Sequence, residues 1–323
     1  IIGNNIGRNY ENITSYRRSV FVISLTLPIL FYFCLRQKFK YEDNLLLLLI
    51  ASIVCLSPYY RTSAYWGLEE NYGLIFLLLS FLSLNIFLRT KNYNRIKEHL
   101  FLFLSTFCSS CCLYFDQKLI IIPMICFVSI MLSSKLIKFK FLSIFYYILF
   151  AVPYVYLIIL WGGLIPTSML EGRKLGNEIF IIHIGYASTI IAFYLFPLLL
   201  FKDKDVISLV KNFFSNQRNY YLISLILIYL FYLIGFYNFE QQSIIGKGFI
   251  HKISLILFSE NLYRMIFIYL SFFVSWVIIF LYVENKLIDI LTIVFLFVLS
   301  IFIWPMHQEY FDPLILLMVF TFF

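Results

Sequence analysis

The chain has 323 residues and a mass of 38.5 kDa; 62% of it is hydrophobic, 13% is charged, mean hydropathy is +0.89 and formal net charge is +8. A soluble domain carries about 25% charged residues, because a molecule of this size needs a polar skin. The composition excludes a soluble enzyme, a nucleic-acid-binding module and a disordered chain, and it predicts an all-α, polytopic integral membrane protein.

A bilayer-crossing helix takes about 20 apolar residues. In chain order, apolar runs occupy 19–35, 44–58, 72–88, 100–114, 119–133, 141–161, 179–201, 220–237, 265–283, 287–304 and 314–323. They predict a bundle of about eleven transmembrane helices, since lipid leaves no backbone group unpaired and the runs are too long and uniform for barrel strands. The runs at 100–114 and 119–133 are short, which predicts a hairpin with Asp116, Gln117 and Lys118 at its tip. The chain opens on Ile1 rather than Met and stops at Phe323 inside an apolar run. The expectation is a piece truncated at both ends. Residues 1–18 would be the tail of a first outer loop whose preceding span is missing, and 19–323 the transmembrane domain.

Sidedness follows from Lys and Arg in alternate loops. Fifteen of the 25 lie in the set containing Arg36, Arg89, Lys135, Lys202 and Lys286, and ten in the set containing Arg17, Arg61, Lys118, Arg173 and Lys247. The first set is predicted to be cytoplasmic, so the net charge reads as a topology signal and requires no nucleic acid. Ten of the seventeen carboxylates lie on the opposite side, which marks the lumenal or periplasmic face as the working face. Two loops carry apolar residues at helical spacing, Val206, Leu209, Val210, Phe213 and Phe214 inside, and Phe249, Ile250, Ile253, Ile256 and Leu257 outside. Both predict helices lying in the interface. No internal repeat is visible, which counts against a transporter built from repeated halves.

Four outer segments carry polar chemistry. Residues 57–72 place Arg61, Glu69 and Glu70 beside Tyr59, Tyr60, Tyr65 and Trp66. A guanidinium there offers a bidentate fork to a lipid phosphate or a sugar, although a snorkelling Arg and solvated acids give the same pattern. Asp116 and Lys118 stand at the hairpin tip, as a sugar- or proton-handling pair or as a plain turn. Trp161-Gly162-Gly163 ends a span ahead of Arg173 and Lys174, two further phosphate candidates. The last outer loop holds His307, Glu309 and Asp312. One His with scattered acids is a poor match to metal-ligand spacing, so no metal ligand is assigned, and a divalent ion is left open as a cofactor. The six cysteines lie in or beside apolar runs and read as small buried hydrophobes; Cys108 and Cys111 have redox-type spacing without redox context.

Taken together, Tyr16-Arg17-Arg18-Ser19, a span, a short basic loop, and a span ending at Ser57-Pro58 before a Tyr/Arg-rich turn resemble the polytopic GT-C glycosyltransferases. Arg17, Ser19, Ser57, Pro58, Tyr60 and Arg61 match that family's pattern. Glu309-Tyr310-Phe311-Asp312-Pro313 resembles the entry to one of its late spans, departing at Tyr310-Phe311, where the family often has a basic residue. The Trp-Gly-Gly turn and the polar hairpin resemble the enzymes that add the terminal α-1,2 glucose to dolichol-linked oligosaccharide.

The resemblance implies an inverting hexosyltransferase with a polyprenyl-phosphate sugar as donor and a glycan or lipid-linked acceptor. It would act on the lumenal face of the endoplasmic reticulum or the periplasmic face of a bacterial inner membrane. It places the catalytic Asp in the missing first loop, leaving Asp116, Glu69 and Glu70 as catalytic candidates here. Substrate contacts are then expected from Arg61, Tyr60, Trp66, Lys118, Arg173, Lys174, His307, Glu309 and Asp312. The alternative reading is a lipid-linked sugar flippase or a polysaccharide polymerase.

Overall fold

The computed structural model describes residues 13–90, 95–163, 180–200, 206–236, 248–282, 287–301 and 308–321. Among these, every regular element is a helix. The chain divides into two compact units, one from residues 1–176 with 320–323 and one from 177–319.

Unit 1 begins with α1, Ile13–Lys38, a 26-residue apolar helix interrupted only at Leu25. It starts six residues before the apolar run, so Arg17 and Arg18 belong to the helix rather than to a preceding loop. α2, Asn44–Ser52, runs through a 3-10 turn, Ile53–Leu56, into α3, Pro58–Trp66, with a bend of 63°. The cause is local. Proline disfavours helical backbone in the residue before it, and Ser57 sits at φ −60° and ψ 122° while Pro58 opens α3. Gly67 then stops α3 in the left-handed region at φ 74°, where Leu68 N–H bonds back to the Ser63 carbonyl. α4 is Glu70–Arg89 and α5 is Arg95–Phe115, 21 residues long and a full span rather than a short arm. After Asp116 a 3-10 turn, Gln117–Ile120, leads into α6, Ile121–Leu132, and α7 is Ile137–Trp161.

Helices in lipid gain little from the hydrophobic effect, so small residues that admit close packing hold them together. Buried small residues line both α4 (Gly73, Ser80, Ser83) and α5 (Ser105, Cys108, Ser109, Cys112), with Ser80 also meeting Cys126 of α6 and Ser109 meeting Tyr147 of α7. A Cβ at Gly73 would come within 2.6 Å of Leu119. Cys34, Cys108, Cys112 and Cys126 are buried as expected, whereas Cys55 is exposed. α7 is held on α5 by an aromatic ladder: Phe103 against Tyr146 (ring centroids 5.4 Å), Phe107 against Phe150 (5.4 Å) and Tyr114 against Tyr154 (6.1 Å).

One end of unit 1 gathers the turns rich in Lys and Arg. Arg89 donates to the Gln37 carbonyl, and Lys135 pairs with Glu98 at 2.6 Å while also donating to the Thr90 carbonyl. The other end carries Arg17, Trp66, Glu69, Asp116 and Lys118. This is the segregation that the loop charges predict for helices alternating in direction.

Unit 2 contains α8 (Ile182–Leu200), α9 (Val206–Ser215), α10 (Gln217–Phe236), α11 (Gly248–Leu257), α12 (Asn261–Tyr282), α13 (Leu287–Ile301) and α14 (Gln308–Thr321, to residue 319). α8 packs on α12 and α13. Gly185 leaves room for the Phe272 ring, and its N–H donates to the Tyr229 hydroxyl at 2.9 Å. His183 Nδ1 lies 3.1 Å from the Ser300 carbonyl. Both interfacial runs form helices, α9 and α11. In α11 the buried positions are His251 and Ser254, while Lys252, Ile253, Ile256 and Leu257 are exposed.

Among the described residues, six helices are long and apolar enough to cross a membrane, or seven if the bent α2–α3 pair is one span. Gln117–Leu132, Ile182–Phe196 and Leu287–Ile301 are shorter apolar helices on three more of the predicted runs. The chain is thus a helical membrane protein.

Candidate functional site at the Trp66 end of unit 1

α1, α3 and the Asp116 turn meet at this end. α3 exists as a separate helix because of Pro58, and Gly67 ends it so closely against α1 that a Cβ there would lie 3.1 Å from Arg17 Cγ. The approach sets the Arg17 guanidinium over the Trp66 ring, 5.2 Å from its centroid. Trp66 in turn meets the edge of Tyr65 at 5.3 Å. The cation is thereby held at an aromatic face instead of wandering in solvent, an arrangement worth about 0.5–1 kcal/mol at an exposed site.

Beneath this surface lies a buried polar knot. Asn71 Nδ2 donates to Ser24 Oγ (2.9 Å) and to the Tyr60 carbonyl (3.1 Å), and the Tyr60 hydroxyl donates to the Ser24 carbonyl (2.9 Å). It ties α1, α3 and α4 together. Tyr60, a predicted substrate contact, is 5% exposed with its hydroxyl engaged in this knot. Arg61, on the next position of α3, is exposed.

The carboxylates differ in their surroundings. Glu69 is exposed and accepts from the Tyr16 hydroxyl at 3.5 Å. Glu70, in the first turn of α4, has Oε2 buried without a hydrogen-bond partner. Helix N-termini favour an acidic residue through their dipole, which accounts for its place but not for the bare oxygen. Asp116 Oδ1 accepts from Lys118 N–H (3.0 Å), and Oδ2 pairs with Lys118 Nζ (3.0 Å). Lys118 Nζ also lies 3.3 Å from the Tyr59 hydroxyl and 4.8 Å from its ring centre. The hairpin tip is therefore fastened to α3.

Beside the tip opens a cavity of about 180 Å³. Its polar and aromatic walls come from Tyr114, Phe115, Asp116 and Gln117 at the end of α5 and from Tyr154 and Trp161 on α7. Two segments that the sequence singles out separately, the Asp116 turn and the Trp161-Gly-Gly exit, thus form one recess. Gly162 itself is a helix stop at φ 68° with nothing within 4 Å of where its Cβ would be.

Of the predicted site residues, the structure gathers Tyr60, Arg61, Trp66, Glu69, Glu70, Asp116 and Lys118 at this end. Arg173, Lys174 and His307 lie outside the described residues, and Glu309 and Asp312 fall in α14 with their side chains outside the description. Sequence reasoning placed Gln117 at the hairpin tip but missed Tyr114 and Tyr154 as cavity walls, since nothing separates them in sequence from ordinary interfacial aromatics. Among the described residues no group of three or more His, Cys, Asp or Glu is assembled to hold a metal ion. In comparison with known proteins, the chain matches no family model, no curated protein and no solved structure.

Proposed function

We propose that the protein is an integral-membrane inverting hexosyltransferase of GT-C-like build, with about eleven spans and the Trp66 end facing the lumen or periplasm. The donor is a polyprenyl-phosphate hexose and the acceptor a glycan or lipid-linked sugar. The observation that carries this reading is the meeting, at one end of one helical unit, of cations and carboxylates from α1, α3, the start of α4 and the Asp116 turn. Arg17, Arg61 and Lys118 supply positive charge, and Glu70 supplies a buried oxygen without a partner.

In this reaction an acceptor hydroxyl attacks the anomeric carbon as the bond from that carbon to the phosphate oxygen breaks. The hydroxyl proton passes to a carboxylate, for which Glu70 is the best-placed described residue. The polyprenyl phosphate leaves with both electrons of the broken bond. Arg61 and Arg17 stabilise its charge electrostatically, so the leaving group needs no protonation.

The test is transfer from a polyprenyl-phosphate hexose by the chain in lipid nanodiscs. Arg61→Ala is expected to lower turnover by about tenfold or more, the scale of losing one oxyanion-stabilising group, with membrane expression unchanged. Glu70→Gln is expected to abolish it. Full turnover in both variants would remove this assignment.

A further inference from the structure

The cavity beside Asp116 has a shape and a lining that the transfer chemistry does not require. A common account of aromatics at this depth is the interfacial belt, in which Trp and Tyr face lipid headgroups. The geometry of α7 argues against it. Tyr154, Leu157 and Trp161 recur at helical spacing on the face turned to α5, and all three line the cavity. The lipid-facing side of the same turns is taken by Tyr156, Ile159 and Leu160, which are 63%, 73% and 65% exposed. Tyr114 is fixed from the other wall, its hydroxyl donating to the Phe150 carbonyl at 3.1 Å and its ring edge-on to Tyr154. Tyr154 and Trp161 are half-buried against the recess, while Tyr114 at its rim is 39% exposed.

The polar wall is equally fixed. Each oxygen of Asp116 is held by one bond to Lys118, which leaves each a second lone pair for a hydroxyl donor. Gln117 adds an amide that both donates and accepts. Aromatic faces for the C–H side of a ring, with a carboxylate and an amide for its hydroxyls, match the chemistry of a pyranose. The volume limits its size. At about 30 Å³ per water the space equals roughly six waters, and it falls below the ~300 Å³ lower bound for drug-sized pockets. A volume of about 180 Å³ is on the scale of one sugar ring.

Height in the membrane agrees. α7 has 25 residues and rises about 37 Å, several ångströms more than a ~30 Å hydrocarbon core. Its last turn, with Trp161, therefore reaches the headgroup layer, where the sugar of a lipid-linked glycan lies.

We propose that this cavity docks a single hexopyranose ring, with Trp161 and Tyr154 against its C–H face and Asp116 and Gln117 on its hydroxyls. The assignment of that ring to a lipid-linked substrate rests on the function proposed above. The docking chemistry rests on the cavity alone.

The experiment is saturation-transfer NMR on the full chain in nanodiscs, with the methyl glycosides of glucose, mannose and galactose as probes. Turnover with polyprenyl-phosphate hexoses is measured on the same samples. Wild-type protein is expected to transfer saturation to the ring protons of at least one glycoside. Trp161→Ala and Asp116→Asn should each weaken binding about fivefold, the scale of one ring-face or hydrogen-bond contact. Leu157→Trp, which fills the recess without replacing the Asp116–Lys118 pair, should abolish it. Absence of saturation on all three glycosides, or equal binding in the Leu157→Trp variant with its helical circular dichroism intact, would overturn the cavity. Glycoside binding lost in Leu157→Trp, in a protein without transfer activity, would uphold the cavity and remove the transferase. Transfer that survives Leu157→Trp while glycoside binding is lost would uphold the cavity and overturn the assignment of its ring to the transferase substrate.

Discussion

At the scale of single residues, the energetics of unit 1 turn on a few buried polar groups. Lys135 and Glu98 form a pair whose side chains are 8% and 0% exposed. Removing one partner leaves a buried charge without compensation, which typically costs about 3–5 kcal/mol, whereas replacing both with apolar groups of similar volume is often neutral. Lys135→Met alone is thus expected to lower the thermal midpoint strongly, and Lys135→Met with Glu98→Leu to recover most of it. Equal losses in the single and double variants would show the pair to be solvated. Asn71 presents a milder case. Interhelical hydrogen bonds in membranes average about 0.6 kcal/mol with a maximum near 1.7, so Asn71→Leu should cost on the order of 1 kcal/mol in a steric-trap or SDS-unfolding measurement. None of these partnerships is legible in the sequence. Glu98 lies on α5 and Lys135, 37 positions later, in the turn between α6 and α7, and Asn71 looks like any polar residue near a helix start.

At the scale of elements, the instructive feature is the break at Ser57-Pro58. The apolar run at 44–58 alone predicts one span ending at Pro58. The structure makes the chain turn there by 63° and continue as α3, carrying Tyr59, Tyr60, Arg61 and Trp66 across the end of the unit. The Pro gives the reason for a break, but the direction of the new helix is set by Tyr60 bonding to α1 and Asn71 reaching back from α4. Pro58→Ala is expected to relax the bend, because the helical conformation of residue 57 is then no longer disfavoured. Spin labels at Leu45 and Thr62 should report a longer mean distance by pulsed EPR, and transfer should fall with it. An unchanged distance would place the cause of the bend in the polar knot instead. Gly67→Ala belongs to the same element. A left-handed backbone and a 3.1 Å approach to Arg17 both penalise a side chain there, for a loss of about 1–2 kcal/mol in the same unfolding assay.

At the scale of the whole molecule, the alternation of helix directions in unit 1 yields a topological prediction. Exposed Asp43 lies at the Lys135 end, and exposed Thr62 lies at the Trp66 end. In a cysteine-free background, Asp43→Cys and Thr62→Cys should react with a membrane-impermeant maleimide from opposite faces of sealed vesicles. Labelling from one face only would overturn both the sidedness and the proposed working face.

The sequence by itself determined the solvent of this protein and most of its elements. Composition dictates a bilayer, because 62% hydrophobic residues cannot be hidden by a soluble chain of 323. Run length dictates where helices lie: among the described residues each of the eleven apolar runs coincides with one or more helices, with boundaries moved by several residues at Arg17, Trp66 and Arg95. Loop charge predicts which turns share an end. What only the tertiary structure decided is which of the many similar aromatics and acids act together. In a membrane protein nearly every span end carries Tyr, Trp or a charge for reasons of interface solvation, so local composition cannot separate belt from site. Only packing brings Tyr114, Tyr154 and Trp161, from two helices, to line one cavity with Asp116. It also leaves one oxygen of Glu70 buried and bare while fastening its neighbours to partners far along the chain.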